Sequence, residues 1–301
     1  MKFLVTGDLH LTNKTPTNRI DDYAQTVCGK FNFLFECAKK YNCEAILQPG
    51  DFTDSPSLPY SFFVEILSVI KRHNIPIFLT WGQHDLRFRN RENTFLMALY
   101  EACPQVHTVS KDTSPQRFGD CFIYGSAWEE DIPEIIKPSE FNILITHRMI
   151  VKEKLWEGQT DFVAANSFLR TNKFSLIVSG DNHTSFYYKI GNKELYNLGS
   201  MTRSTSTQLN HRPCVAVYDT EKLSGEIIYI PIKKSEEVFM IEKINREKEK
   251  NEELSAFVKG LAEHKDASLS FIDNLKEYLK INKIEESIEK IIKESFRERD
   301  N

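Results

Sequence analysis

Residues 1–13 read MKFLVTGDLHLTN, an apolar run that stops at a glycine, an acid and a histidine. The run over residues 2–6 has the length and composition of a buried β-strand. Strand side chains alternate between faces, so Asp8 and His10 would point the same way from the end of this strand. Ordinary turns also contain such a pair, and its meaning therefore depends on the rest of the chain.

Four more segments repeat this pattern of an apolar strand followed by Gly, Asp, His or an amide. They read QPGDFTD at 48–54, WGQHD at 81–85, THR at 146–148 and SGDNH at 179–183. Their strands are predicted at 45–48, 76–80, 142–146 and 176–179. Helical patterns lie between several of them, at 22–40, 60–73 and 92–101. Short apolar strands that alternate with helices predict a layered α/β domain.

Further strand patterns add antiparallel hairpins to this domain. They lie at 121–124, 187–190, 195–198, 215–218 and 226–231. Two of the hairpins are expected to turn around Gly191-Asn192 and Ser224-Gly225.

The polar residues at the five strand ends form a candidate metal-binding set. Because sites assemble at the carboxyl ends of strands in an α/β sheet, we expect these side chains on one rim. The candidates are Asp8, His10, Asp51, Gln83, His84, His147, Asp181 and His183. Mixed oxygen and nitrogen donors suit Mn²⁺, Fe²⁺ or Zn²⁺, and this number suits two ions that share a carboxylate. The alternative, independent turn and capping residues, fits one such segment better than five.

Five motifs of this chain, taken in order, resemble the pattern of calcineurin-like metallophosphoesterases. They are GDLH, GDFTD, GQHD, the lone His147 and GDNH. The resemblance covers about residues 1–232 and implies an α/β fold, a layered β-sandwich flanked by helices. Within this superfamily the chain is most similar to the DNA-repair nuclease SbcD and its eukaryotic, archaeal and phage relatives. That similarity rests on GDFTDSPSLPY at 50–60, YGSAWEED at 124–131 and YNLGSMTRSTSTQLNHRPCVAVYDTE at 196–221.

The resemblance implies a role for each candidate. The positions of the first metal are matched by Asp8, His10, Asp51 and His183. The positions of the second metal are matched by Gln83, His147 and Asp181, and Asp51 is the carboxylate that bridges both ions. His84 matches the histidine that approaches the scissile phosphate, and Asp85 matches the acid that orients it. Asp54 closes the GDxxD motif and is expected to hold its loop.

Two of these residues depart from the family pattern. Gln83 stands where the family has Asn, and Asp181 stands where it has His. Both keep an oxygen donor, and hard oxygen donors favour Mn²⁺, with Mg²⁺ as its substitute, over Zn²⁺. An alternative is that the second site is weak or empty and the protein a metal-depleted interaction scaffold. Against it, every position keeps a donor.

The resemblance implies a two-metal-dependent phosphodiesterase, the nuclease subunit of a complex that processes DNA double-strand breaks as exonuclease and endonuclease. Its expected partners are DNA, an SbcC-like coiled-coil ATPase and a second copy of the chain. The candidate DNA-binding residues are Arg87, Arg89, Arg91 and Arg203, the first three close to the aromatic Phe88. A solvated charged loop is the alternative for these arginines. A phosphodiesterase for small substrates such as cyclic nucleotides is the alternative activity.

The composition changes after residue 232. Residues 233–301 hold 15 Lys or Arg and 17 Asp or Glu among 69 residues, with one glycine and no proline, which predicts helices. We expect a charged linker or vestigial capping region at 233–266 and a helical pair at 267–301. The pair either packs on the parent domain or binds the ATPase partner.

Composition also narrows the cellular setting. The net charge of −4 gives no overall basic footprint, so nucleic-acid binding would need local patches. Six cysteines without a CxxC pair predict reduced, buried thiols. The N-terminus has no signal-peptide pattern, and no apolar run reaches the roughly 18 residues of a membrane span. The expectation is a soluble, cytoplasmic protein with no membrane partner.

Overall fold

The computed structural model describes the backbone of residues 1–263 and the side chains of residues 1–256. The chain divides into two units, Met1–Phe239 and Met240–Asn301. The predicted linker region contains two described helices, α5 (Ser235–Val238) and α6 (Ile241–Glu263). The predicted helical pair at 267–301 lies outside the described residues, and its role stays a prediction.

The first sheet has six strands. In spatial order they are β14 (Ser224–Tyr229), β13 (Cys214–Asp219), β1 (Lys2–Val5), β2 (Ala45–Gln48), β3 (Ile77–Leu79) and β4 (Val106–Thr108). β1 to β4 run parallel, and β13 joins β1 antiparallel. The carboxyl ends of β1, β2 and β3 therefore lie side by side.

The second sheet also has six strands. In spatial order they are β11 (Phe186–Ile190), β12 (Lys193–Asn197), β10 (Leu176–Ser179), β7 (Phe141–Thr146), β6 (Cys121–Ser126) and β5 (Gln116–Phe118). β10 and β7 are parallel neighbours, so their carboxyl ends also meet. A short parallel pair, β8 (Ile150–Val151) and β9 (Val163–Ala164), stands apart from both sheets.

Alternating side chains along β1 explain why the sheets form a sandwich. Phe3 and Val5 pack into the core between the two sheets, whereas Leu4 faces the helices on the outer side. The outer helices of the first sheet are α1 (Tyr23–Lys40), α2 (Tyr60–His73) and α3 (Phe95–Ala102). On the second sheet α4 (Ala165–Thr171) packs with Phe168 and Leu169 inward. The predicted layered β-sandwich flanked by helices is confirmed.

Local sequence signals set the limits of the helices. Asp22 caps α1 by accepting a hydrogen bond from the Gln25 amide, and the helix ends in two lysines that suit the negative end of its dipole. α2 ends at His73 and is capped by Asn74, which adopts the left-handed conformation with φ 53°. The turn expected around Ser224-Gly225 is wrong, because those residues already belong to β14 and the chain reverses at residues 220–223.

The six cysteines are free and buried, as predicted. Among the described residues, no helix combines the length and apolar character that crossing a lipid bilayer requires.

Candidate metal centre

Both sheets deliver residues to one site at an end of the sandwich. The loops after β1, β2 and β3 carry Asp8 and His10, then Asp51, then Gln83 and His84. The loops after β7 and β10 carry His147, Asp181 and His183. The expectation of a single sheet rim is wrong: two face-to-face sheets each contribute part of the set. This arrangement allows donors to approach from two sides.

The donors assigned to the first metal converge on one another. His10 Nε2 lies 3.0 Å from His183 Nε2 and 3.6 Å from Asp51 Oδ2. His183 Nε2 lies 3.6 Å from Asp8 Oδ2. One ligand atom each from Asp8, His10 and His183 fits within 4.8 Å of the others, as a shared cation requires.

The donors assigned to the second metal lie on the other side of Asp51. His147 Nε2 is 3.4 Å from the same Asp51 Oδ2 that faces His10. Gln83 Nε2 donates to Asp181 Oδ1 at 3.1 Å, and no partner among the described residues binds the Gln83 amide oxygen. Asp51 is thus in contact with both halves of the site, where a bridging carboxylate belongs. The individual ligand assignments stay predictions.

Unsatisfied buried acceptors mark where cations fit. Asp8 Oδ1, Asp51 Oδ2, Gln83 Oε1 and His147 Nε2 are buried and, within the described part of the chain, have no hydrogen-bond partner. Buried polar atoms are normally paired, so such a cluster of acceptors requires an explanation. His147 supplies a second sign: its Nδ1 lies 2.8 Å from the Pro49 carbonyl oxygen and donates to it, which leaves the Nε2 lone pair for a metal.

The electrostatics of the site also fit divalent cations. Burial raises the pKa of Asp8 to about 8, since the cost of removing the carboxylate from water outweighs the opposing charges of His147 and His10. Burial and the charge of His10 lower the pKa of His183 to about 4, so its imidazole is neutral at pH 7. Burial disfavours charge on His147, but the Asp51 and Asp8 carboxylates outweigh it and raise its pKa to about 10. Bound metal ions would take the place of the protons on Asp8 and His147.

The backbone is held in uncommon conformations to aim these groups. His10, Asp51 and Asp181 have φ of 45°, 48° and 73°, the left-handed region that non-glycine residues seldom adopt. Gly180 lets the backbone lie close to the Asp8 and His147 side chains. A Cβ at this position would lie 2.3 Å from Asp8 Oδ1 and 2.8 Å from His147 Nδ1. Strain at three candidate ligands favours a functional site over a set of independent turns.

Asp85 does not orient His84, which corrects the sequence-based expectation. Its buried carboxylate accepts hydrogen bonds from the Phe52, Thr53 and Gly82 amides and from the Thr53 hydroxyl. His84 Nδ1 instead lies 3.2 Å from the Asp54 carbonyl oxygen. The 3₁₀ turn Gln83–Asp85 points successive side chains in different directions, which separates the acid from the imidazole. Asp85 ties the loop after β2 to the loop after β3.

Replacing Asp85 with alanine is expected to lower the free energy of unfolding by about 3 kcal/mol, because it leaves three buried amides without an acceptor. Urea denaturation measures this loss. Asp54→Ala is the comparison, since the Asp54 side chain is 45% exposed and should cost less than about 1 kcal/mol. If Asp85→Ala left the free energy of unfolding unchanged but shifted the pH–rate profile, the proposal that Asp85 orients His84 would be restored.

Two of the four candidate DNA-binding arginines are engaged within the protein. Arg203 is only 4% exposed, and its guanidinium donates to the carbonyls of Leu209 and Lys233 and to Ser235. The prediction for Arg203 is therefore wrong. Arg91 pairs with Glu130 and donates to Ser110, so its charge is already neutralised. Arg87 and Arg89 are exposed and stay candidates.

Two contributors to the site were missed. The Pro49 carbonyl fixes His147, and no sequence pattern predicts a main-chain acceptor at that place. The GDxxD motif predicts that Asp54 holds its own loop, but its carboxylate lies 3.5 Å from His10 Nδ1 and forms a second candidate ligand group with His10 and His84. The GDxxD spacing was the signal that could have indicated it.

Comparison with solved structures supports the fold. The protein TT1561 of Thermus thermophilus superposes with a TM-score of 0.51 at 11% identity, over 76% of this chain and 99% of that chain. Two other structures superpose with lower TM-scores: an archaeal phosphodiesterase (TM-score 0.43, 14% identity, over 76% of this chain and 99% of that chain) and a dimetal phosphatase from Danio rerio (TM-score 0.46, 10% identity, over 77% and 99%). At these identities the likeness extends to the fold alone. No curated protein matches the sequence significantly.

The family is shown by the sequence itself. The model of the family described as calcineurin-like phosphoesterase matches residues 1–185, more than half of the chain and all five motif segments. The converging donors and unsatisfied acceptors fit the dinuclear metal centre of that family. The chain therefore belongs to the calcineurin-like phosphoesterase family and is a metal-dependent hydrolase.

Proposed function

We propose that this protein cleaves DNA phosphodiester bonds, as an SbcD-like nuclease subunit that processes double-strand ends and nicks single strands. The observation that carries the proposal is an exposed arginine and aromatic turn three residues after His84. Phe88 is 98% exposed, and the Arg89 side chain is 72% exposed. Cationic and aromatic side chains beside a metal centre suit a nucleic-acid backbone.

The turn is built to keep those side chains outward. Arg87 and Asn90 exchange two main-chain hydrogen bonds of 2.9 Å, and Phe88 and Arg89 both have positive φ. The Arg89 guanidinium lies 3.1 Å from Glu129 at the surface, a pair that costs little to break. Arg87 and Arg89 can therefore turn toward phosphates without disturbing the fold.

The metal is proposed to be Mn²⁺, with Mg²⁺ as its substitute. Asp8, His10, Asp51 and His183 would hold one ion, and Asp51, Gln83, His147 and Asp181 the other. The ions would supply charge neutralisation for the phosphate and an activated water. Gln83 and Asp181 offer oxygen where softer donors would select Zn²⁺. Their oxygens also argue against a metal-depleted scaffold, since decay would leave residues without donors.

His84 is proposed to act on the substrate directly. Its imidazole is exposed, and its Nδ1 donates to the Asp54 carbonyl oxygen, which leaves Nε2 available to a substrate. As an imidazolium, with a proton on each ring nitrogen, His84 can stabilise the equatorial oxygens of the phosphate or give its Nε2 proton to the leaving oxygen.

Two protein partners are proposed, a second copy of the chain and an SbcC-like coiled-coil ATPase. Support for a homodimer comes from α2, where Tyr60 is 91% and Val64 is 59% exposed. Sedimentation velocity distinguishes a dimer from a monomer. The ATPase is expected to bind the C-terminal helices, so a protein lacking residues 240–301, which keeps the whole of the first unit, should lose copurification with it.

Incubation with Mn²⁺, end-labelled duplex DNA and bis(p-nitrophenyl) phosphate is the direct test of the proposed activity. Both substrates should be cleaved, and added EDTA should stop both reactions. Cleavage of the aryl diester alone, with DNA intact even when the ATPase is present, would favour a small-substrate phosphodiesterase instead. Arg89→Gln should weaken cleavage of DNA more than that of the aryl diester, because only DNA extends to the turn.

A further inference from the structure

A groove of about 820 Å³ opens beside the metal centre; we call it the His183 groove. Its walls are β11, the segment 205–212 and the β13–β14 hairpin. The His183 side chain is 45% exposed and lines this groove, while its Nε2 lies 3.6 Å from Asp8 Oδ2. A ligand in the groove would therefore be continuous with one at the metal centre.

The lining of the His183 groove mixes apolar and polar side chains and is almost uncharged. It contains aliphatic and aromatic side chains, a thiol, hydroxyls, amides, imidazoles and a single guanidinium, and among the described residues no carboxylate lines it. The polar members include Thr205, Thr207, Gln208, Asn210 and Arg212. The chain has 43 acidic residues, yet none of the described ones lines this groove. The lack of negative charge suits an electron-rich ligand. A track for a phosphate backbone would carry several cations, so the groove is better suited to flat groups that form hydrogen bonds.

Stacking surfaces stand on the walls of the groove. The Arg212 guanidinium carbon lies 4.1 Å from the centroid of the Tyr229 ring, a cation–π pair. Tyr229 is 52% exposed and Tyr187 is 43% exposed. Within the described part of the chain, no carboxylate forms an ion pair with Arg212. Aromatic rings and guanidinium planes are the surfaces on which unpaired bases stack.

We propose that the His183 groove holds unpaired bases of a DNA strand whose adjoining phosphate lies at the metal centre. This inference rests on the proposed cleavage of DNA and adds the strand type. The volume is within the range of roughly 300–1,000 Å³ for ligand pockets, which limits the contents to a few nucleotides. Bases inside a duplex are already paired and stacked, so only a strand end or a separated strand can enter.

Binding of a fluorescein-labelled single strand to the protein in EDTA tests the groove without cleavage. Fluorescence anisotropy should give a Kd about tenfold higher for Tyr229→Ala and for Arg212→Gln, the loss expected for one base stack. Tyr229→Phe should bind as the wild type does, because it keeps the ring. Matched controls outside the groove are Trp156→Ala and Arg117→Gln, which should leave the Kd unchanged.

An oligonucleotide with abasic sites separates base stacking from backbone binding. The wild type should bind it about tenfold more weakly than the normal strand, and Tyr229→Ala should then lose nothing further. A normal Kd for folded Tyr229→Ala, or an equal loss on the abasic strand, would overturn the inference. If the groove variants bind DNA more weakly but the wild type cleaves no DNA, the proposed nuclease activity is rejected and the groove proposal stands. If the wild type cleaves DNA but the groove variants bind it normally, the groove proposal is rejected and the nuclease proposal stands.

Discussion

Asp51→Asn is expected to lower kcat/KM for both DNA and an aryl diester by about a thousandfold or more. Asp51 Oδ2 is the atom that faces His10 at 3.6 Å and His147 at 3.4 Å, and it has no hydrogen-bond partner within the described chain. Asparagine has nearly the same shape but loses the charge that two cations would share. The larger effect should therefore be on metal occupancy and not on folding.

The hydrogen bond on the other side of Asp51 makes this substitution informative. Asp51 Oδ1 accepts from the His84 main-chain amide at 2.9 Å, and an asparagine oxygen can keep that bond. Calorimetric titration with Mn²⁺ should show fewer bound ions or a much weaker affinity, while circular dichroism should show that the metal-free protein keeps its secondary structure. Asp131→Asn, which removes an 83% exposed carboxylate, controls for the loss of charge. Wild-type Mn²⁺ stoichiometry in Asp51→Asn would contradict the bridging role.

The fold could be predicted from the sequence because each core strand is a short apolar run that is followed by turn residues. Ala45–Gln48 and Leu176–Ser179 match their predicted limits, and Tyr60–His73 does so among the helices. Missed elements lack those signals: Gln116–Phe118 is a three-residue edge strand, and Ala165–Thr171 is too short for helical periodicity. Tertiary packing, which a local pattern does not encode, determines both.

The sequence predicts which residues form the site, but it predicts their hydrogen-bond partners less well. Motif order identified which side chains gather, since each follows a strand. The partner of a side chain depends on loops from other parts of the chain. Asp85 binds the loop after β2 and Arg203 binds carbonyls near the end of the domain, and neither distance can be read from sequence spacing. Charged residues near a motif therefore need the structure before a role is assigned.

His84→Ala is expected to lower kcat for DNA by about a hundredfold to a thousandfold and to leave Mn²⁺ binding intact. The imidazole is exposed, whereas the part of His84 that supports the metal centre is its main-chain amide, which holds Asp51 Oδ1. Removing the side chain keeps that amide. Metal affinity and turnover should therefore separate in this variant, as they should not in Asp51→Asn.

The leaving group decides between the two actions proposed for His84. If the imidazole protonates the leaving oxygen, an aryl diester with an acidic leaving group needs little help, and its rate should fall much less than that of DNA. If His84 only stabilises the equatorial oxygens, both substrates should lose the same factor. We expect the larger loss on DNA. His73→Ala, which alters a histidine stacked on Phe35 away from the site, is the control and should leave both rates unchanged. Loss of Mn²⁺ binding in His84→Ala, or wild-type cleavage of DNA, would remove His84 from the catalytic role.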